Sequence, residues 1–222
     1  MKSLGWKTIT TGATAVAAGL GALAVAAGPA QAATHAAAAP ARTATTSVQA
    51  VAPLSARQLA ALPITNKHLT AQEIENLAVV LNAYQDAQGD SLNVPAFIND
   101  FTKTGVFNDM VAGKTYTGQA LGDVLTGMAA IFPDVHRDLK SITVNGDVVS
   151  LELSIDGTFE GPLHTPAGIL KPNGAKVAAP TADFWYLHDG KIQTFDCYVG
   201  YSVMYAEMGV NFNWAGAIAN QG

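Results

Sequence analysis

The chain is short of charge, and the charge it has is unevenly spread. Only 13% of its 222 residues are Asp, Glu, Lys or Arg, and none of the 17 acidic residues precedes Glu73. There is one cysteine, Cys197, which excludes an internal disulfide and leaves burial as the expected state of that thiol. The five histidines are scattered without metal-ligand spacing, so no metal site is expected. There is no basic cluster and no internal repeat. A mildly acidic chain has no electrostatic reason to seek nucleic acid or anionic lipid.

What is present begins with a leader. Lys2 and Lys7 precede an uncharged small-residue run from Ile9 to Gly28, broken by Pro29. Ala30-Gln31-Ala32 then forms a small-x-small cleavage signature. Residues 1–32 read as a secretory signal peptide cleaved near Ala32, giving a secreted protein that leaves no membrane anchor behind. A run this rich in Gly, Ala and Thr gains little from hydrocarbon, which argues against a retained span. No Arg-Arg pair precedes it, which favours the general secretory route over the twin-arginine one. Loss of Lys2 and Lys7 moves the formal charge from −5 to −7. Residues 33–66 read as an Ala/Thr/Pro-rich flexible spacer with room for a short helix around Ser55–Leu62. Residues 67–222 form one domain, roughly 150 residues long and large enough for a core of its own.

Within that domain the hydrophobic period changes once. Thr70-Ala71-Gln72-Glu73 is a capping box, and Ile74, Leu77, Val80, Leu81 and Tyr84 follow on one helical face. Helices are also expected over 94–103 and 118–131, with short strands at 105–107 and 114–116 between them. After Pro133 the pattern alternates: Leu151, Leu153 and Ile155 interleave with polar residues. Turns are expected at Asn145-Gly146 and Asp189-Gly190, and strands over 177–187 and 192–203. Helices followed by long antiparallel strands predict an α+β fold, a curved sheet wrapped around N-terminal helices. Such a hollow suits a small ligand.

Several motifs carry a resemblance. Gly105-Val106-Phe107-Asn108-Asp109, Tyr116-Thr117-Gly118 and Phe132-Pro133-Asp134-Val135-His136 come first in order. Gly157-Thr158-Phe159-Glu160-Gly161-Pro162, Pro172-Asn173-Gly174 and Asp189-Gly190-Lys191-Ile192 follow, with a tail from Met204 to Gly209. Taken in sequence they resemble the SnoaL-like polyketide and ester cyclases of the nuclear-transport-factor-2-like superfamily. The resemblance implies a cystatin-like cone, a homodimer through the outer sheet face, and cofactor-free ring closure by a carboxylate that moves a proton in a dry pocket. Some relatives of that fold open epoxides or isomerise ketosteroids, and many only bind ligands.

The family's His-x-Asp on the last strand falls on Phe195-Asp196-Cys197, a second cavity histidine on Asp183, and the histidine of Gly-Thr-His on Phe159. Another branch's Asp falls on Gly200. Asp183, in an otherwise apolar run, is the candidate proton-transfer residue, because burial there would raise its pKa. Strand alternation puts Asp196 and Cys197 on opposite faces, with Cys197 inward unless a bulge exchanges them. Tyr116, His136, Phe159, Trp185, Phe195 and Cys197 are the candidate ligand-binding residues. Two functions stay open: a secreted cyclase-type enzyme, cyclase/isomerase-like, with a small apolar or polycyclic substrate, or a non-catalytic module binding a small hydrophobic ligand. A cone filled by its own large side chains would point instead to a structural role.

Overall fold

The computed structural model describes residues 52–66 and 68–221. The leader, its cleavage site and most of the spacer therefore lie outside the described residues. Three helices precede most of the sheet: α1 (Ala56–Ala61), α2 (Ala71–Asp86) and α3 (Val94–Asp100). Then come β1 (Phe101–Asp109), β2 (Lys114–Thr117), α4 (Ala120–Ile131), β3 (His136–Asn145) and β4 (Val148–Thr158). A small hairpin of β5 (Leu163–Thr165) and β6 (Gly168–Leu170) leads to β7 (Lys176–His188) and β8 (Lys191–Val199). Two short helices close the chain, α5 (Tyr201–Glu207) and α6 (Trp214–Ala219). Among the described residues no helix is long and apolar enough to cross a membrane.

The six long strands form one curved sheet in the order β2-β1-β8-β7-β4-β3. All neighbours are antiparallel except β1 and β8, which run parallel. Its concave face supplies Val149, Leu151, Leu153 and Ile155 from β4 and Val177, Ala179 and Trp185 from β7, all buried against α2, α3 and α4. The capping box forms as read: the Thr70 hydroxyl accepts the Glu73 amide at 3.2 Å, and Glu73 reaches back to the Thr70 amide at 2.8 Å.

Some boundaries move. The helix expected over 94–103 stops at Asp100, and Phe101 opens β1 instead. Register pairs Asn145 with Val148, so the β3–β4 turn is Gly146-Asp147, one residue later than expected, with Gly146 at φ +59. A hairpin turn with glycine first needs that positive φ. Asp189 and Gly190 are both at positive φ, 48 and 69, as the tightest hairpin turn demands.

The described end of the spacer is folded. Ser55 caps α1, and the chain at 63–66 then runs along the outer edge of β3. Thr65 N–H donates to the Ile142 carbonyl at 2.8 Å, and Ile142 N–H donates to the Pro63 carbonyl at 3.0 Å. The Asn66 side chain completes the edge by both donating to and accepting from the backbone of Val144. Leu54, Leu59, Leu62 and Ile64 pack on the core, which is why this stretch is ordered although its composition reads as linker.

Two bulges decide which side chains point inward. In β3, Leu139 pairs with Leu153 and Ser141 with Glu152, so Lys140 is the extra residue. In β8, Ile192 pairs with Leu187 and Thr194 with Tyr186, so Gln193 is extra. Each bulge reverses the alternation of the strand around it.

Candidate active site

The concave face holds two adjoining chambers. The inner one, about 50 Å³, is walled by Phe97, Phe107, Trp185 and Phe195 and carries Tyr84, Arg137, Asp183 and Cys197. That is room for a few water-sized groups. Trp185 and Phe195 stack face to face with centroids 3.5 Å apart, Phe107 stacks on Phe195 at 4.6 Å, and Tyr84 meets Trp185 edge-on at 5.2 Å. Large side chains thus occupy most of the hollow, and the polar groups are confined to one wall.

Asp183 is the centre of that wall. Its neighbours in β7, Thr181 and Trp185, share its inward face, and only 1% of its surface is exposed. The Tyr84 hydroxyl, presented by the apolar face of α2, donates to Asp183 Oδ2 at 2.6 Å. Trp185 Nε1 donates to the same hydroxyl at 3.0 Å and so fixes where its proton points. Asp183 Oδ1 is buried without a hydrogen-bond partner among the described residues. Burial lifts the carboxyl from 3.8 to about 6, against the pull of Tyr84, Cys197 and the Arg137 charge. The group is poised to take up and return a proton near neutrality.

Cys197 lies directly opposite Asp183 in the β7–β8 pairing and faces inward, while Asp196 faces outward and accepts from Asn108 Nδ2 at 2.7 Å. Burial, and then the Asp183 charge, push the thiol well up, which keeps it protonated and a poor nucleophile. Arg137 enters from β3 and donates through Nη1 to the Ala87 carbonyl and to Gln88 Oε1. No carboxylate among the described residues lies within ion-pair distance of it. Its guanidinium is the cation of the chamber.

The outer chamber, about 70 Å³, shares Val124, Met128 and Tyr201 with the inner one. Tyr116 lines it, together with Asp109 at the end of β1 and His164 on its rim. Asp109 is 7% exposed. Its Oδ2 accepts the Tyr201 hydroxyl at 2.5 Å and its Oδ1 the Ala112 amide at 2.9 Å.

Of the residues singled out from sequence, Asp183, Trp185, Phe195 and Cys197 meet in the inner chamber, and Tyr116 lines the outer one. Phe159 does neither: it is fully buried against Phe132, centroids 6.2 Å apart, as core packing under α4. His136 is outside altogether. Its side chain is 55% exposed, with Nδ1 at 2.9 Å from the Asp134 carbonyl oxygen. Counting by twos back from the buried Ile142 and Val144 would turn His136 inward. The Lys140 bulge exchanges it with Arg137.

Sequence reasoning did not assign Tyr84, Arg137, Asp109 or Tyr201 to the site. The available signals were a hydroxyl on an otherwise apolar helix face for Tyr84 and the alternation of Asp109 with Gly105 and Phe107. Nothing local marks Tyr201. Among the described residues no group of His, Cys, Asp and Glu is placed to hold a metal.

The family model described as SnoaL-like polyketide cyclase matches residues 78–198, a span that contains Tyr84, Asp109, Arg137, Asp183 and Cys197. No curated protein matches the sequence. Among solved structures, a protein from Jannaschia sp. assigned as a SnoaL-like polyketide cyclase superposes with a TM-score of 0.56 at 18% identity, covering 66% of this chain and 100% of its own. AclR from Streptomyces galilaeus, assigned as a hydroxylase, gives 0.54 at 17% identity, covering 67% of this chain and 90% of its own. A protein from Xanthomonas campestris assigned as a polyketide cyclase gives 0.53 at 19% identity, covering 62% and 98%. At these identities the likeness is one of fold.

Proposed function

The chain belongs to the SnoaL-like polyketide cyclase family, and from that premise we propose that it is a cofactor-free proton-transfer enzyme of the cyclase or isomerase type. Its substrate is a small, largely apolar compound with an enolisable carbonyl. The observation that carries this reading is the state of Asp183: buried, one oxygen held by Tyr84, the other without a partner among the described residues, and a pKa lifted to about 6.

Asp183 Oδ1 takes a proton from the carbon beside the carbonyl, and the electron pair of that C–H bond moves onto the carbonyl oxygen. The Arg137 guanidinium, which has no carboxylate partner among the described residues, lies on the same chamber to stabilise the oxyanion. The enolate carbon then attacks a second carbonyl within the molecule, or recovers the proton at another carbon. Either way Asp183 returns the proton and no redox partner is consumed. The Tyr84 and Trp185 hydrogen bonds hold the carboxyl in place, and the aromatic wall keeps water out.

The test is deuterium exchange at the α-carbon of 6-hydroxy-2-tetralone, which carries a phenol at one end and an enolisable carbonyl at the other, in D2O, followed by NMR. The wild type accelerates exchange over buffer, and Asp183→Ala loses about 10²–10⁴-fold of that acceleration. Exchange by the variant at the wild-type rate, or none by the wild type, defeats the proposal.

A second reading, a ligand-binding module without turnover, is favoured by the aromatic filling and by Phe195-Asp196-Cys197 standing in place of His-x-Asp. Native mass spectrometry of the protein from its producing organism separates the two. A bound compound recovered unchanged after incubation supports the binder, and the same spectrum shows whether the protein is the expected homodimer.

A further inference from the structure

The inner chamber is too small for a ring system, and the side chains that limit it are shared with the outer chamber. Val124, Met128 and Tyr201 stand between the two. Three of the chain's five methionines, Met128, Met204 and Met208, line the outer chamber. Methionine is the apolar side chain that most readily repacks around a guest. Tyr201 is the first residue of α5, directly after Gly200, and no side chain caps that helix start.

The buried carboxylate of this chamber, whose lining also includes Lys114, His164 and three tyrosines, is Asp109, and both its oxygens accept hydrogen bonds. One bond, from the Ala112 amide, belongs to the turn after β1. The other comes from a phenol on a separate element, Tyr201. Burial and Asp109 both hold the Tyr201 hydroxyl protonated, so in this contact it is the donor. The structure therefore contains a phenol already docked on Asp109, at the partition between the chambers.

We propose that the outer chamber is the distal half of the ligand site, and that Asp109 anchors a ligand there through a phenol or enol hydroxyl that displaces Tyr201. Tyr201 is the built-in competitor for that hydrogen bond. When it leaves, the partition opens and the ligand reaches across to Asp183. The substrate class is accordingly a hydroxylated aromatic or polycyclic carbonyl compound, hydroxyl at one end and enolisable carbonyl at the other. An unsubstituted ring brings no donor for Asp109 and would leave Tyr201 where it is. This deepens the proton-transfer reading and rests on it for the reacting end.

The experiment is equilibrium dialysis of the purified protein with 2-naphthol and with 2-methoxynaphthalene, which differ only in the donor hydrogen and its methyl cap. The wild type binds 2-naphthol about tenfold more tightly than the ether. Asp109→Asn, whose single acceptor oxygen stays with Ala112, loses that preference. Tyr201→Phe removes the competitor and tightens 2-naphthol about tenfold, with no matching gain for the ether. A purely structural role for the pair gives the opposite result in the last variant, no gain or a weaker complex. Equal affinity of the two probes, binding of neither, or a Tyr201→Phe variant without the gain overturns the proposal. Both probes lack an enolisable carbonyl, so the measurement is independent of proton transfer. Failure of the tetralone exchange with the naphthol preference intact withdraws the chemistry and keeps the anchor. The converse withdraws the anchor alone.

Discussion

At the scale of the residue, Asp183 is held at the expense of stability. Its folded carboxyl titrates at about 6, above its ordinary 3.8, because burial penalises the charge more than Tyr84, Cys197 and Arg137 favour it. Between those two values the folded state keeps a proton that the unfolded chain has shed. Stability from this group is thus complete below about pH 4 and is lost as pH rises to 6. The loss amounts to roughly 3 kcal/mol. Asp86, also raised to about 6 by partial burial and by Asp100, adds a loss in the same direction, discounted because solvent screens a group that is not fully enclosed. Urea unfolding of the wild type at pH 4 and pH 7 should show the fall, and Asp183→Asn should remove the larger part of it. A variant with the wild-type slope would mean that Asp183 ionises freely. Asp183 could be found in the sequence because a carboxylate in an apolar strand has few bland explanations. Arg137 could not, since it lies among His136, Asp138 and Lys140, where the residue types alone do not distinguish the charge that turns inward from those that face water.

At the scale of the element, close backbone approach fixes where β3 begins. Gly89 follows α2 and donates its N–H to the Val135 carbonyl at 2.7 Å. A Cβ at that position would stand 2.0 Å from the Pro133 carbonyl oxygen, which is backbone and cannot rotate away. Gly89→Ala should cost about 1–3 kcal/mol in thermal or urea unfolding, and it should displace Arg137, whose guanidinium rests on the carbonyl of Ala87. An unchanged midpoint would show that the turn relaxes freely. The elements themselves were largely legible: the capping box at Thr70, the turn at Asp189-Gly190 and the alternation through Leu151, Leu153 and Ile155 each have a local cause. The bulges at Lys140 and Gln193 have none. They arise from fitting a strand to its partners, and a two-residue period read along one strand carries no record of its neighbour. That is why His136 and Arg137 exchanged places, while Cys197, whose alternation with Phe195 and Val199 lies beyond the Gln193 bulge, came out as read.

At the scale of the whole molecule, the strand order sets the terms of assembly. β8 lies between β1 and β7, so the middle of the sheet is supplied by the last strand of the chain. We expect the leader at residues 1–32 to send the protein out of the cell. N-terminal sequencing of material recovered from culture medium should begin at or near Ala33, and recovery only of full-length chain from the cells would argue against it. For a chain exported by threading, the position of β8 has a kinetic consequence. Until residues 191–199 have been made, β1 has no parallel partner, β7 has one open side, and Phe195 is missing from the aromatic stack. Contacts this distant in sequence form slowly. If it is exported, the nascent chain would therefore stay open for nearly the whole of its synthesis, which is the state a translocation channel accepts, and would close into a cone only once its final strand had come through.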